Sequence, residues 1–101
     1  MMISVDELTD ALQSTQMMVI DVREACEVAA TGSIPGALFI PLDELRHRIN
    51  DIPRDVPIVC ICASGIRAQV AVDRLEHAGF CKVYNLLGGM KRWFARALVP
   101  A

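Results

Sequence analysis

The sequence predicts an α/β protein with a mostly parallel sheet, because short apolar runs alternate with segments of helical periodicity. Residues 17–22 and 57–61 are compact apolar runs without polar alternation, which is typical of strands covered on both faces. Between and after these runs, apolar residues recur at the spacing of one helix face. This order of elements favours parallel strands joined by helical crossovers.

The first half of the chain supplies a helix and two strands. Ser4 and Glu7 fit a capping box, since the Ser4 hydroxyl can accept the Glu7 amide while the Glu7 side chain reaches back. A short helix follows, and residues 17–22 form the next strand. Three further segments precede the central strand: a loop at residues 31–36, a second buried strand at 37–40, and a helix stripe with turns over 42–57.

The second half begins with the strongest strand, residues 57–61, and continues with an amphipathic helix. The apolar face of that helix carries Ala68, Ala71, Val72, Leu75 and Ala78. Gly79 is placed to end it in a left-handed conformation, and residues 82–85 form a last short strand. Gly88 and Gly89, which suit a close backbone approach, lead into a final helix that contains Met90, Trp93 and Phe94.

The composition predicts one small cytoplasmic domain over residues 1–101. The hydrophobic share is 53% and the formal net charge is -2, so there is no basic stripe to bind nucleic acid. Mean hydropathy is +0.38, but the longest apolar run, 58–63, is far shorter than the roughly 20 residues of a membrane-spanning helix. The N-terminus also lacks the pattern of a signal peptide. We expect no membrane association.

The four cysteines are expected to be reduced thiols, because disulfides belong to exported proteins. Cys60 lies inside the central strand and should be core. Cys26 is predicted to lie exposed in a loop, and Cys81 to be structural. Only one residue separates Cys60 from Cys62, which does not match the ligand spacing of zinc sites, so we expect neither metal nor cofactor.

Cys62 is the candidate catalytic residue of this sequence. It follows the central strand at its carboxyl end, where ligands bind in open α/β sheets, and it begins a six-residue segment that ends at Arg67. Such a loop turns backbone amides inward, and Gly65 allows the turn. The next helix adds its positive end. With the Arg67 cation, these features favour an anionic sulfur and an anionic donor, and predict a nucleophilic Cys62.

Four segments together resemble the single-domain rhodaneses, a family of sulfurtransferases. They are residues 21–24 (Asp-Val-Arg-Glu), 32–37 (Gly-Ser-Ile-Pro-Gly-Ala), 62–67 (Cys-Ala-Ser-Gly-Ile-Arg), and 85–90 (Asn-Leu-Leu-Gly-Gly-Met) with Trp93. The resemblance implies a rhodanese-like, five-stranded parallel sheet with helices on both faces. It also implies a persulfide on Cys62, thiosulfate or a persulfide as donor, and cyanide or a thiol as acceptor.

The resemblance further implies which residues serve the site. The loop residues Ala63, Ser64, Gly65, Ile66 and Arg67 would bind the donor. Asp21 would lie beside the loop and could hydrogen-bond near it, while Arg23 could pair with Glu24. Both are interpreted as supporting residues. Trp93 is expected in the core and as a wall of the pocket.

This sequence departs from the family at four positions. The family commonly has histidine where Ser33 stands, an aromatic residue at Ile61, serine at Ala68 and a basic residue at Ala63. Ser33 and Ala68 are expected to affect packing. The missing cation at Ala63 predicts weaker recognition of free thiosulfate, which makes a protein or small-molecule persulfide donor more plausible.

Two other functions remain open. Phosphatases and arsenate reductases on a related fold have five residues between cysteine and arginine, whereas four separate Cys62 from Arg67, so that function is less favoured. The second is a persulfide carrier or regulatory binding module without catalysis. Retention of Cys62, Gly65 and Arg67 favours the enzyme.

Overall fold

The computed structural model describes residues 1–14 and 16–96. Five parallel strands form one sheet in the order β1-β5-β4-β2-β3. The elements along the chain are β1 (Met2–Ile3), α1 (Val5–Ser14), β2 (Met18–Asp21), α2 (Ala25–Thr31), β3 (Leu38–Phe39), α3 (Leu45–Arg48, between two 3₁₀ turns), β4 (Ile58–Ile61), α4 (Ile66–His77), β5 (Val83–Leu86) and α5 (Gly89–Arg96). The predicted α/β fold with a parallel sheet is confirmed.

Strand β4 lies in the middle of the sheet and is buried on both faces. Ile58 and Cys60 face the core beneath α3 and α4, and Val59 and Ile61 face the core beneath α1 and α5. All four side chains are therefore apolar, and the strand shows no alternation. Its carboxyl end points to the start of α4, so the loop between them is fixed at both ends.

The helix signals near the N-terminus and in α4 are confirmed. The Ser4 amide donates to Glu7 Oε1 at 2.9 Å and the Glu7 amide donates to Ser4 Oγ at 3.1 Å, which is the predicted capping box. Helix α4 buries the predicted small and aliphatic face. Gly79 follows it with φ +97°, a conformation that glycine adopts at little steric cost.

Two predictions about the first half need correction. Residues 25–31 form helix α2 rather than a loop, and Cys26 lies in it, exposed. The Glu24 amide donates to Glu27 Oε1 at 3.1 Å and begins this helix. Strand β3 is shorter than predicted and half-buried, because it is an edge of the sheet. In the ranges that the structure describes, no helix has the length and apolarity to cross a bilayer.

Candidate active site

The sulfur of Cys62 lies at the base of the loop between β4 and α4, and the residue is 1% exposed. Its Sγ accepts the backbone amides of Gly65 at 3.0 Å and Ala68 at 3.3 Å. Gly65 has φ +105° and directly precedes α4, which turns both amides toward one point. The positive end of the helix dipole lies at the same place. The arrangement can hold a negatively charged sulfur.

The other loop residues form the rim above this sulfur. Ser64 is exposed and Ala63 is half-buried. Ile66 is 77% exposed, although it is aliphatic. Neither Ala63 nor Ile66 carries a polar side chain, so the loop offers an incoming group mainly its backbone.

Helix α5 holds the first part of the loop in place. The Met90 amide donates to the Cys62 carbonyl at 2.8 Å, and the Lys91 amide donates to the Ala63 carbonyl at 3.1 Å. A Cβ on Gly89 would lie 2.6 Å from both of these carbonyl oxygens. The close backbone approach predicted for the glycine pair is confirmed at Gly89. With its carbonyls bound to α5, the loop is fixed in the orientation that presents amides to the sulfur.

Asn85 supports the same loop from β5, and the sequence reasoning gave it no separate role. Its buried side chain donates from Nδ2 to the Gly65 carbonyl at 3.0 Å and to Gln69 Oε1 at 3.1 Å. Its Oδ1 has no hydrogen-bond partner within the described residues. A polar residue in an otherwise buried strand was the signal available in the sequence.

Arg67 is paired with a carboxylate from α2. Its Nη1 and Nη2 donate to the two oxygens of Glu27 at 2.5 Å and 2.8 Å. The hydrogen bond from Arg67 lowers the pKa of Glu27 to about 2, and the same contact raises the pKa of Arg67. The cation predicted to act on the loop is therefore neutralised by Glu27. Glu27 was not predicted from the sequence, because it lies 40 residues from Arg67 in the chain.

Asp21 and Arg23 form a buried ion pair. Arg23 donates to the Asp21 carboxylate from Nε at 3.0 Å and from Nη2 at 2.7 Å. The Ser33 hydroxyl donates to the same carboxylate at 2.7 Å, and Arg23 reaches the Gly32 carbonyl at 2.8 Å. The expected pairing of Arg23 with Glu24 is wrong. The Asp21 carboxylate is used by these partners rather than by the cysteine loop, and ties the end of β2 to the segment after α2.

Trp93 lies in the core beneath α5 and is 8% exposed. It does not line the cleft beside Ala63, and its place as a wall of the substrate pocket stays a prediction. A cleft of about 310 Å³ opens beside Ala63. Met90, Lys91 and Phe94 line it from α5, and Arg23 and Glu27 line it from the opposite wall. Phe94 follows Trp93 directly, so the two rings point in different directions from one helix.

The remaining cysteines are free thiols. Cys60 is buried, as predicted, and burial raises its pKa to about 12. Cys81 is exposed, and its assignment as an ordinary cysteine without chemistry stays a prediction. In the described part of the chain, no group of three or more histidine, cysteine or acidic side chains is placed to hold a metal ion.

Known proteins similar to this chain include several sulfurtransferases. The sulfurtransferase of Allochromatium vinosum is 34% identical, over 92% of this chain and 87% of that protein. The thiosulfate sulfurtransferase GlpE of Shewanella oneidensis is 32% identical, over 90% and 89% of the two chains. YqhL of Bacillus subtilis, named as uncharacterized, is 41% identical over 74% of this chain, and the match spans 59% of its length.

A solved structure and a family model agree with these relatives. The human single-domain sulfurtransferase TSTD1 superposes with a TM-score of 0.87 at 28% identity, over 94% of this chain and 96% of that one. The names of these relatives support sulfurtransferase activity in general. The model of the rhodanese-like domain matches residues 4–96. The resemblance seen in the sequence is confirmed, and the chain belongs to the rhodanese-like domain family.

Proposed function

We propose that this protein is a sulfurtransferase in which the Cys62 thiolate takes a sulfane sulfur from a donor and passes it to an acceptor. The observation that carries the proposal is the pair of amides, from Gly65 and Ala68, directed at the sulfur at 3.0 Å and 3.3 Å. Amides at a helix start stabilise an anion. They would therefore support both the free thiolate and the persulfide anion that replaces it.

The two half-reactions balance without a cofactor. The Cys62 thiolate attacks the outer sulfur of thiosulfate, a sulfur–sulfur bond forms, and sulfite leaves with the electron pair of the broken bond. With a persulfide donor, the leaving group is the donor's thiolate. The acceptor, cyanide or a thiolate, then attacks the outer sulfur of the Cys62 persulfide and restores the thiolate.

The second part of the proposal concerns the chemical class of the sulfur donor. Thiosulfate would meet the loop amides of residues 63–67, but Ala63 brings no cation and Arg67 is already paired with Glu27. A small-molecule or protein persulfide needs less positive charge at the site, so we favour it over thiosulfate as the physiological donor. Free thiols, two of them exposed, agree with a reducing, cytoplasmic compartment.

Mass spectrometry of the Cys62 peptide tests the proposal. After treatment with thiosulfate or a low-molecular-weight persulfide, the peptide should gain about 32 Da, the mass of one sulfur. Cyanide should remove that mass and release thiocyanate. The Cys62→Ser variant should release none, while Cys26→Ser should behave like the unmodified chain.

A second result would favour a binding module. If the Cys62 peptide gains no sulfur from any donor but still reacts with iodoacetamide, the thiol is accessible and does not accept sulfur. That outcome would contradict the enzymatic proposal.

A further inference from the structure

The ion pair between Glu27 and Arg67 joins two helices at the mouth of the cysteine loop. Arg67 lies in the first turn of α4, two residues after Gly65, and Glu27 lies in the first turn of α2. Both terminal nitrogens of the guanidinium point to the two carboxylate oxygens. The side chains are 35% and 31% exposed, so the pair is reached by solvent and by solutes.

The pair neutralises the one cation that the cysteine loop itself carries, Arg67. Because the pKa of Glu27 is about 2, its carboxylate is ionised at neutral pH. The negative charge of Glu24 also raises the pKa of Arg67. Two acidic residues at the start of α2 therefore offset the positive charge of the guanidinium. Ala63 adds no cation to the loop, and the exposed Lys91 of α5 lines the cleft beside it.

We infer that Glu27 is a specificity-determining residue, which holds the Arg67 guanidinium and so disfavours donors with two negative charges relative to donors with one or none. The inference rests on the proposed sulfur transfer. Thiosulfate, a dianion, has to compete with Glu27 for Arg67, whereas a persulfide bearing only the charge of its terminal sulfur depends mainly on the loop amides. Glu27 thereby selects the persulfide class of donor.

The test compares two alkylating agents of similar size and different charge, and it needs no sulfur transfer. Iodoacetate is an anion and iodoacetamide is neutral, and both react with a thiolate by displacing iodide. The ratio of their rates at Cys62, followed by mass spectrometry of its peptide, cancels any change in the fraction of thiolate. It reports the charge that an incoming anion meets.

Glu27→Gln is the informative variant because it removes the charge and keeps a side-chain oxygen. That oxygen can still accept the Glu24 amide, which Glu27 accepts at 3.1 Å, so the start of α2 is retained. Glu76→Gln is the matched control. Glu76 is exposed in the last turn of α4, about 13 Å along the helix from Arg67, beyond the screening length at about 0.1 M salt.

In Glu27→Gln, the iodoacetate rate relative to the iodoacetamide rate should rise roughly three- to tenfold, as expected for removing one nearby charge. In Glu76→Gln the ratio should stay at the value of the unmodified chain. An unchanged ratio in Glu27→Gln would overturn the inference. The rise should also shrink when Arg67 is replaced by glutamine. An equal rise in that background would show that Glu27 does not act by holding Arg67, and would also overturn it.

The kinetics of sulfur transfer provide a second test of the inference. In Glu27→Gln the KM for thiosulfate should fall by at least that factor with little change in kcat, and the KM for an otherwise uncharged alkyl persulfide, which carries one negative charge rather than two, should fall by less. A higher KM for thiosulfate would mean that Glu27 serves only to orient Arg67, and would overturn the inference. If no variant transfers sulfur, the proposed function fails, and the alkylation ratios still decide whether Glu27 sets the charge at the site.

Discussion

Replacement of Gly89 by alanine tests whether α5 fixes the cysteine loop. Gly89 has φ +61°, and a Cβ there would lie 2.6 Å from the carbonyl oxygens of Cys62 and Ala63. The left-handed backbone alone costs an alanine about 1–2 kcal/mol. To relieve the contact, the loop and α5 must move apart, which weakens the hydrogen bonds from Met90 and Lys91. At about 1 kcal/mol for each bond, the free energy of unfolding should fall by about 3–4 kcal/mol.

Gly36→Ala is the control for the backbone part of this cost. Gly36 has φ +83°, but nothing lies within 4 Å of the position that a Cβ would take there, so only the conformational cost of about 1–2 kcal/mol applies. Urea unfolding of both variants measures the difference. With a slope of about 1–2 kcal/mol per molar urea, the Gly89→Ala midpoint should lie about 1–2 M below that of Gly36→Ala.

The variants Gly89→Ala and Gly36→Ala also separate an effect on stability from an effect on the geometry of the site. Without urea, where both are folded, Gly89→Ala should load sulfur onto Cys62 more slowly, because the amides no longer converge on Sγ. Gly36→Ala should load it at the rate of the unmodified chain. If the two variants lose the same stability and load sulfur equally, the reasoning that α5 positions the loop is refuted.

Three further predictions concern charge and burial. Asp21→Asn should lower the free energy of unfolding by about 3 kcal/mol, because it leaves the Arg23 guanidinium buried without its counter-charge. Asp51→Asn, which breaks an exposed pair, should cost less than about 1 kcal/mol, and equal losses in urea unfolding would contradict this. Since the folded-state pKa of Glu27 is lowered from 4.5 to about 2, its contribution to stability is present above pH 4.5 and is lost as pH falls toward 2. In acid unfolding, Glu27→Gln should therefore lose less stability between pH 4.5 and 2 than the unmodified chain. Acid-unfolding curves of the same shape for the two proteins would argue against the pairing of Glu27 with Arg67. Because burial raises the pKa of Cys60 to about 12, Cys60 in the Cys62→Ser variant should stay unlabelled by iodoacetamide at about pH 8 while Cys26 reacts, and equal labelling of the two would contradict the burial of Cys60.

The elements that could be predicted are those with a local cause. The capping box joins Ser4 and Glu7, which are three positions apart, and strand β4 is apolar because both faces are covered. Helix α2 was missed for the opposite reason. It buries no residue, so its sequence shows no apolar stripe. The only local signal for its start is the capping contact between Glu24 and Glu27.

The position of Cys62 could be predicted, but the partners of its loop could not. Strand and glycine signals place a cysteine at the end of β4, and the backbone geometry follows from them. The contact of Arg67 with Glu27 joins residues 40 positions apart, and no spacing rule anticipates it. The choice between Trp93 and Phe94 depends on how α5 is rotated on the sheet, which packing decides and periodicity over eight residues does not.

The structure shows how a loop with so little side-chain chemistry directs hydrogen bonds at the Cys62 sulfur. Its two contacts to Sγ come from backbone amides, so the side chains of Ala63 and Ser64 are not needed to make them. What the amides need is a fixed backbone, and this is supplied from outside the loop, by Asn85 from β5 and by the first amides of α5. The loop side chains can then differ in charge and size, and so favour one kind of incoming molecule over another. In the sulfur transfer that we propose, an alanine at position 63 therefore changes the preferred donor without removing the two amides that contact the sulfur.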